Sequence, residues 1–464
     1  MGANETEMPL RVAVVGSGPA GFYAAGALLA ADPPAEVDLI ERLPTPWGLV
    51  RLGVAPDHPK IKSVSKAFER IAERPGFRFL GNVEVGRDLM HEDLLELYDA
   101  VVYCVGAQSD RHMGIPGEDL PGSWPATVFV AWYNGHPDHQ HFQFDLSGER
   151  AVVIGNGNVA VDVARMLALT PEELAPTDTT DAAIEAIGNS GIREIVMIGR
   201  RGPVQAAFTN PELLELGELA GADVIVDPAD LELDPASAAA LEGDTNAERN
   251  LEVLREYAAR EPEGKAKRLV LRFLRSPVVL EGDGRVEAVE LVRNRLEPDG
   301  RGGLRAVATD ERETLTAGIV FRSVGYRGVA LPGVPFDEER GTIRNVGGRV
   351  LDEQGAPVPG VYAAGWIKRG PSGVIGTNKK DATETIGLLL EDDREGRLPR
   401  AGKTADDVDA LLDARGIRRV VHAGWTSIDA TERAAGEKLG RPRVKLVTWD
   451  ELLACAETLA AESA

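Results

Sequence analysis

The chain has 464 residues, 43% hydrophobic and 27% charged, with a formal net charge of -23. That length calls for two or three hydrophobic cores, and the composition is that of a globular rather than a disordered protein. The acidic balance argues against a nucleic-acid binder, and the two distant cysteines, Cys104 and Cys455, supply neither a disulfide framework, nor a zinc site, nor four thiolates for an iron–sulfur cluster.

In chain order, the stretch MGANETEMPL has no cationic region followed by an apolar one, so no secretory signal is expected. MGANET fits the loose myristoylation pattern but reads as an ordinary chain start. No apolar run reaches the ~18 residues of a membrane span. With no disulfides expected, the protein is placed in the cytoplasm.

Residues 11–21, RVAVVGSGPAG, read as a buried strand, Val12 to Val15, a turn, and a helix continuing to about Asp32. Gly16, Gly18 and Gly21 form G-x-G-x-x-G, the spacing that allows a tight turn, approach of a pyrophosphate, and close helix–strand packing. A second strand, VDLIE, ends in Glu41, 20 residues past Gly21, where a carboxylate can accept both hydroxyls of an adenosine ribose. The pattern predicts a dinucleotide with a free 2′-hydroxyl, FAD or NAD.

AVVIGNGNVAVDVARML, residues 151–167, repeats the design, with Gly155, Gly157 and, at the third place, Ala160. Its partner strand, IREIVMIG, ends not in an acid but in Arg200 and Arg201. An acid there would repel a 2′-phosphate, whereas guanidinium groups bind one in forked, charge-assisted pairs. The intervening 170–190 and the later 227–247 read as low-complexity surface segments. GKAKRLVLRFLRS, 264–276, gathers Lys265, Lys267, Arg268, Arg272 and Arg275, which on their own read equally well as a solvated face. One site for a plain ribose and one for a phosphorylated ribose imply bound FAD and exchangeable NADPH.

GVYAAGWIKRGPSGVIGTNKKDATETIGLLL, 360–390, reads as strand, glycine loop and a helix opening near Thr377; Trp366 reads either as a core aromatic, the commoner fate of a lone Trp, or, from its place between strand and glycine loop, as a flavin wall. Free N–H groups at that helix start can stabilise electron density on a reduced flavin. Residues 404–464 form a small unit of their own. Its first helix is capped by Thr404 or Asp406 and ends at Gly416, and no motif for chemistry is present.

VVGSGPAGFYAA, PWGLVRLGVAPDHPKIKSV, GNVEVGRD, GNGNVAVDVAR, GRRGPVQAAFT and AGWIKRGPSGVIGTNK together resemble the adrenodoxin-reductase-type ferredoxin–NADP reductases, from about residue 10 to 390. The resemblance implies an α/β fold of two Rossmann-like three-layer domains of the glutathione-reductase type. The NADP-binding domain, 109–324, would be inserted into a discontinuous FAD-binding domain, 10–108 and 325–395, with a C-terminal extension, 396–464, packed on the latter. It carries FAD contacts to Ala20, Glu41, Leu49, Val85, Trp366 and Gly373, Val374 and Ile375. NADP contacts fall on Asn156, Gly157, Asn158, Val159, Arg200, Arg201, Glu212 and Gly373. By itself, His58 in APDHP reads as a loop histidine pinned by Pro56 and Pro59. The resemblance gives it a supporting catalytic role with Glu215, and Asp162 in the same neighbourhood. No metal is implied.

The partner implied is a ferredoxin, an acidic one-electron iron–sulfur protein, and Lys265, Lys267 and Arg268 are candidates for part of its dock. Enzymes of the same fold with another acceptor, a glutamate synthase flavin subunit or a quinone reductase, form the alternative. The cysteine-bearing amino-terminal region of the former, and the CxxC of thioredoxin reductases, are missing from this sequence. Outside enzymes, the alternative is a non-catalytic dinucleotide-sensing module.

Overall fold

A computed structural model of the chain describes residues 9–300 and 302–462; residues 1–8, most of the stretch read for targeting, lie outside the described residues. Two compact units result. One comprises the chain up to Ser109, Tyr326–Lys438 and Lys445 onward; the other comprises Asp110–Gly325 and Leu439–Val444.

The first unit opens with β1 (Arg11–Val15), α1 (Pro19–Leu28), β2 (Glu36–Ile40), β3 (Phe77–Leu80) and β4 (Ala100–Tyr103). After Arg11, strand β1 is apolar from Val12 to Val15 because both of its faces are covered: Val12 and Val14 enter one apolar cluster, Ala13 and Val15 another. Helix α1 stops short of the expected Asp32. Pro33 and Pro34 follow, and a residue before proline is driven out of helical geometry.

In the second unit come β5 (Ser123–Pro125), β6 (Arg150–Ile154), α2 (Asn158–Ala168), β7 (Glu194–Ile198), β8 (Ala222–Val226) and β9 (Lys267–Arg272). An antiparallel three-stranded sheet follows, β10 (Arg275–Glu281), β11 (Ala288–Pro298) and β12 (Leu304–Thr316), before β13 (Ile319–Arg322) closes the main sheet. The order is β5-β13-β6-β7-β9-β8, all parallel.

The chain then returns to the first unit with β14 (Asn345–Val346), β15 (Arg349–Leu351), β16 (Pro357–Ala363) and the 20-residue α3 (Ile375–Arg394), which begins two residues before the expected Thr377. That sheet runs β14-β15-β16-β4-β1-β2-β3, parallel from β16 to β3. In each sheet the first strand of the βαβ unit, β1 or β6, lies between strands reached in opposite directions. The crevice at the carboxyl end of such a strand is where an open α/β sheet binds ligands.

Two expectations are corrected. Segment 170–190 is not a loose insertion: helices Pro171–Leu174 and Asp181–Gly188 are capped by the Thr170 and Thr180 side chains, and Leu174, Ala183 and Ile187 are buried. Within the same unit, Arg441 donates to the Thr177 carbonyl at 3.0 Å and is also bonded to Thr179 O and Asp181. Segment 227–247 likewise holds the helix Pro235–Leu241 and the start of Thr245–Ala259, each led by an aspartate cap, Asp234 and Asp244. Thr404 caps the first helix of the C-terminal extension, Ala405–Ala414, and the acid that reaches back to it is Asp407, not Asp406. Among the described residues no helix is long and apolar enough to cross a membrane.

Candidate functional site

At the end of β1 the chain turns at Gly16, φ +101°, with the carbonyl of Cys104 only 2.6 Å from where a Cβ would stand. A Cβ on Gly21 would collide with the Gly16 carbonyl oxygen, so the helix can approach the strand only as glycine. Between them Gly18 has open space on its Cβ side. It precedes α1, whose first turn carries Pro19 and no side-chain cap, leaving the N–H groups of Ala20 and Gly21 directed outward. This is an anion cradle at a helix N-terminus. Glu41 stands beside it and is already partly engaged. One oxygen accepts from Ser17 N–H and Oγ–H at 3.0 and 2.7 Å, the other from Leu43 N–H at 3.0 Å. A carboxylate has about four acceptor positions, so the bonds to Ser17 orient it while leaving room for a ribose hydroxyl.

Three further segments of the same unit close on this cradle. Trp47 N–H donates to Ser17 O at 3.0 Å, which brings Leu49, 39% exposed, to the glycine loop. Val83 N–H donates to Glu41 O, anchoring the loop that carries Val85. Gly365 packs against Ala20, and its N–H donates to buried Asp381 at 2.6 Å. Asp381 also pairs with Lys368 at 3.0 Å, and Arg369 donates to Asn378 at 2.8 Å. The loop running through Trp366 to Gly373, Val374 and Ile375 is thereby fixed. Val374 is 59% exposed at the start of α3. The indole N–H of Trp366 is buried, and no acceptor among the described residues reaches it.

The second unit repeats the cradle. Gly157 opens α2 without a side-chain cap, and Ala160 in the third place is fully buried. Asn156 O accepts from Ala207 and Phe208 N–H, while its buried Nδ2 has no partner among the described residues. Asn158 is turned away to Thr209, accepting from its N–H at 2.8 Å, and Val159 follows in the first turn of α2. Gly199 lies against the Asn156 amide, so Arg200 and Arg201 leave β7 beside the glycine turn. Their backbone is held: Arg200 O accepts from Asn294 Nδ2 at 2.8 Å and Arg201 O from Leu274 N–H at 3.1 Å. Neither guanidinium has an ion-pair or hydrogen-bond partner among the described residues. Burial, and then the neighbouring Arg200 charge, push the Arg201 pKa down from its ordinary value. An anion between the two would relieve both effects.

His58, 6% exposed, precedes the short helix Pro59–Lys62 in the first unit. Glu212, Glu215 and Asp162 belong to the second unit. There Arg165, 4% exposed, spans Asp162 at 3.0 Å and Glu215 at 2.5 Å. Arg165, Ser17 and Asp381 were not singled out from the sequence. Only Ser17 carried a signal, a hydroxyl inside the glycine turn.

The basic stretch 264–276 does not form a free cationic face. Lys267 donates to Leu167 O at 2.6 Å, and burial pushes its pKa down to about 8. Lys265 donates to Leu219 O at 2.9 Å, Arg268 pairs with Glu194 at 2.8 Å, and Arg272 and Arg275 share Glu313.

The chain from residue 10 to 175 matches the family model of pyridine nucleotide-disulphide oxidoreductases. It is 54% identical to the NADPH-ferredoxin reductase FprA of Mycobacterium tuberculosis, over 96% of this chain and 98% of that protein. This chain belongs to the NADPH–ferredoxin reductase family. The mitochondrial NADPH:adrenodoxin oxidoreductase of Arabidopsis thaliana, a more distant member, is 42% identical over 98% of this chain and 97% of its own. The solved structure of Mycobacterium tuberculosis FprA in complex with NADPH superposes with a TM-score of 0.92 at 53% identity, covering 97% of this chain and all of that one. The fold is thus the two-domain α/β architecture of the glutathione-reductase type. The open cradle at Gly18, the unpartnered Trp366 and Asn156 side-chain donors, and the two unpaired arginines fit the dinucleotides such a family binds.

Proposed function

We infer that the protein is an FAD-dependent NADPH–ferredoxin oxidoreductase, which takes a hydride from NADPH and passes electrons singly to a ferredoxin-type iron–sulfur protein. When bound, FAD supplies the interchange between two-electron and one-electron chemistry. The carrying observation is the pair of unpaired guanidiniums beside an uncapped, glycine-led helix, in a chain whose other βαβ unit ends in a carboxylate.

The residues divide the work. Glu41 and the start of α1 hold the ribose and pyrophosphate of FAD. Leu49, Val85 and Trp366 wall it, and the N-terminus of α3 at Gly373, Val374 and Ile375 places a positive dipole end against it. The start of α2, with Asn156 and Gly157, holds the pyrophosphate of NADPH, and Arg200 and Arg201 select its 2′-phosphate. His58, Glu215 and Asp162 are assigned supporting roles through the family resemblance, Arg165 orienting the two acids. The committed partners of Lys265, Lys267 and Arg268 argue against a dock at that stretch.

Rapid mixing tests the reading. NADPH should bleach the visible flavin band of the purified yellow protein much faster than NADH, and a ferredoxin should restore it. A colourless protein that takes up no FAD, or equal rates with the two nucleotides, would overturn it.

A further inference from the structure

The C-terminal extension contains no residue assigned to the nucleotide sites, yet it supplies a fully buried carboxylate, Glu432, to the segment that covers the first cradle. Residues 47–52 cross over the glycine loop in an unusual conformation. Trp47 has φ 85°, a region that bulky side chains rarely adopt, and Gly48 follows at φ 50° with Gly18 Cα only 2.9 Å from where its Cβ would be. A backbone of that kind persists only when its surroundings over-determine it.

The surroundings here come from the extension. Trp425 packs edge-on against Trp47, ring centroids 4.8 Å apart, and its face lies under the Arg51 guanidinium at 5.4 Å. Glu432, 0% exposed, takes Arg51, 4% exposed, in a two-pronged pair at 2.8 and 2.5 Å, although the residues are 381 positions apart. Glu432 is itself held by Leu446 N–H at 2.9 Å, and Lys445 reaches the Arg51 carbonyl at 3.3 Å. Both charges of the pair are out of water, so each depends on the other in the two-pronged geometry observed, and removing one would leave its partner buried and uncompensated. That geometry sets Trp47 and Gly48 against Ser17 and Gly18.

We propose that Glu432 is a positioning residue for FAD: through Arg51 it clamps residues 47–52 over the glycine loop, and so keeps the dinucleotide in the first site. The proposal rests on the reading of that site as a flavin site.

The test compares Glu432→Gln and Glu432→Asp with the parent protein. FAD is titrated into apoprotein by quenching of flavin fluorescence, visible circular dichroism of the bound flavin is recorded, and NADPH affinity serves as the internal control. Glu432→Gln, which leaves Arg51 buried and uncompensated, should weaken FAD binding by about tenfold or more and alter the flavin dichroism. NADPH affinity should change by less than about twofold, because the second unit's cradle shares no partner with this pair. Glu432→Asp should recover part of the FAD affinity. Should Glu432→Gln fail to fold, Lys445→Met decides. It keeps the ion pair and removes one tie to the Arg51 carbonyl, so a weaker FAD complex supports the clamp and an unchanged one overturns it. A folded Glu432→Gln protein with parental FAD affinity and dichroism, or with parallel losses for both nucleotides, also overturns it. A parent apoprotein that takes up no FAD defeats instead the flavin reading of the site.

Discussion

Arg200 and Arg201 stand at the end of β7 with no acidic partner among the described residues, while the cations of 265–275, just before and on the adjacent β9 and at the start of β10, are engaged with carbonyls or carboxylates. Arg275 is the extreme case, 8% exposed between Glu313 at 2.9 Å and Asp230 at 3.6 Å. In a chain of net charge -23, a cation has carboxylates to choose from, and a pair left without them is available to a ligand. Five cations in thirteen residues make the longer basic run, yet it is the adjacent two that are left without a carboxylate or carbonyl partner among the described residues.

The sharpest way to break this contrast is to replace both free arginines. Arg200→Ala with Arg201→Ala should cost about 1.5 to 3 kcal/mol of NADPH binding per lost charged contact while leaving NADH affinity nearly intact. Titrations with the two nucleotides measure it, and equal losses would reduce the arginines to loop supports. The mirror experiment, Arg275→Ala, leaves Asp230 buried without its cation. It should lower unfolding free energy by about 3 kcal/mol in urea titrations, with NADPH affinity unchanged in the folded protein.

Lys267 gives the contrast a pH signature. Its folded pKa is depressed to about 8 from an ordinary 10.5, so between those values the unfolded chain holds a proton the folded chain lacks. The burial cost is fully present below pH 8 and fades as pH rises toward 10.5. The stability of the parent relative to Lys267→Met should therefore climb across that window. A flat difference would mean the ammonium is solvated. The smallest effect is expected from Lys265→Ala with Arg268→Ala: exposed pairs contribute about 1 kcal/mol or less, and the salt dependence of electron transfer to a ferredoxin should stay as it was.

Much of the candidate site was legible because its constraints are local. Gly16 and Gly21 are dictated by a turn and a close approach within six residues, and β1 and β6 by unbroken apolar runs between covered faces. What escaped depended on distant partners. Segment 170–190 looked like a linker because its polar threonines find their uses as helix caps and as carbonyl acceptors for Arg441, 260 residues from Asp181. Asp381 and Arg165 gave no signal, since a buried charge is recognisable only once its counter-charges are in place.

The amino-acid order alone determined two βαβ nucleotide cradles and the opposite charges, Glu41 and the arginine pair, that end them, because strand periodicity and glycine sterics act between near neighbours. Tertiary structure alone decided which charges remain free, and that the strained Trp47 segment is held from the far end of the chain by Glu432. Pairing in a low-dielectric interior depends on distances in space, and those appear only when remote segments pack.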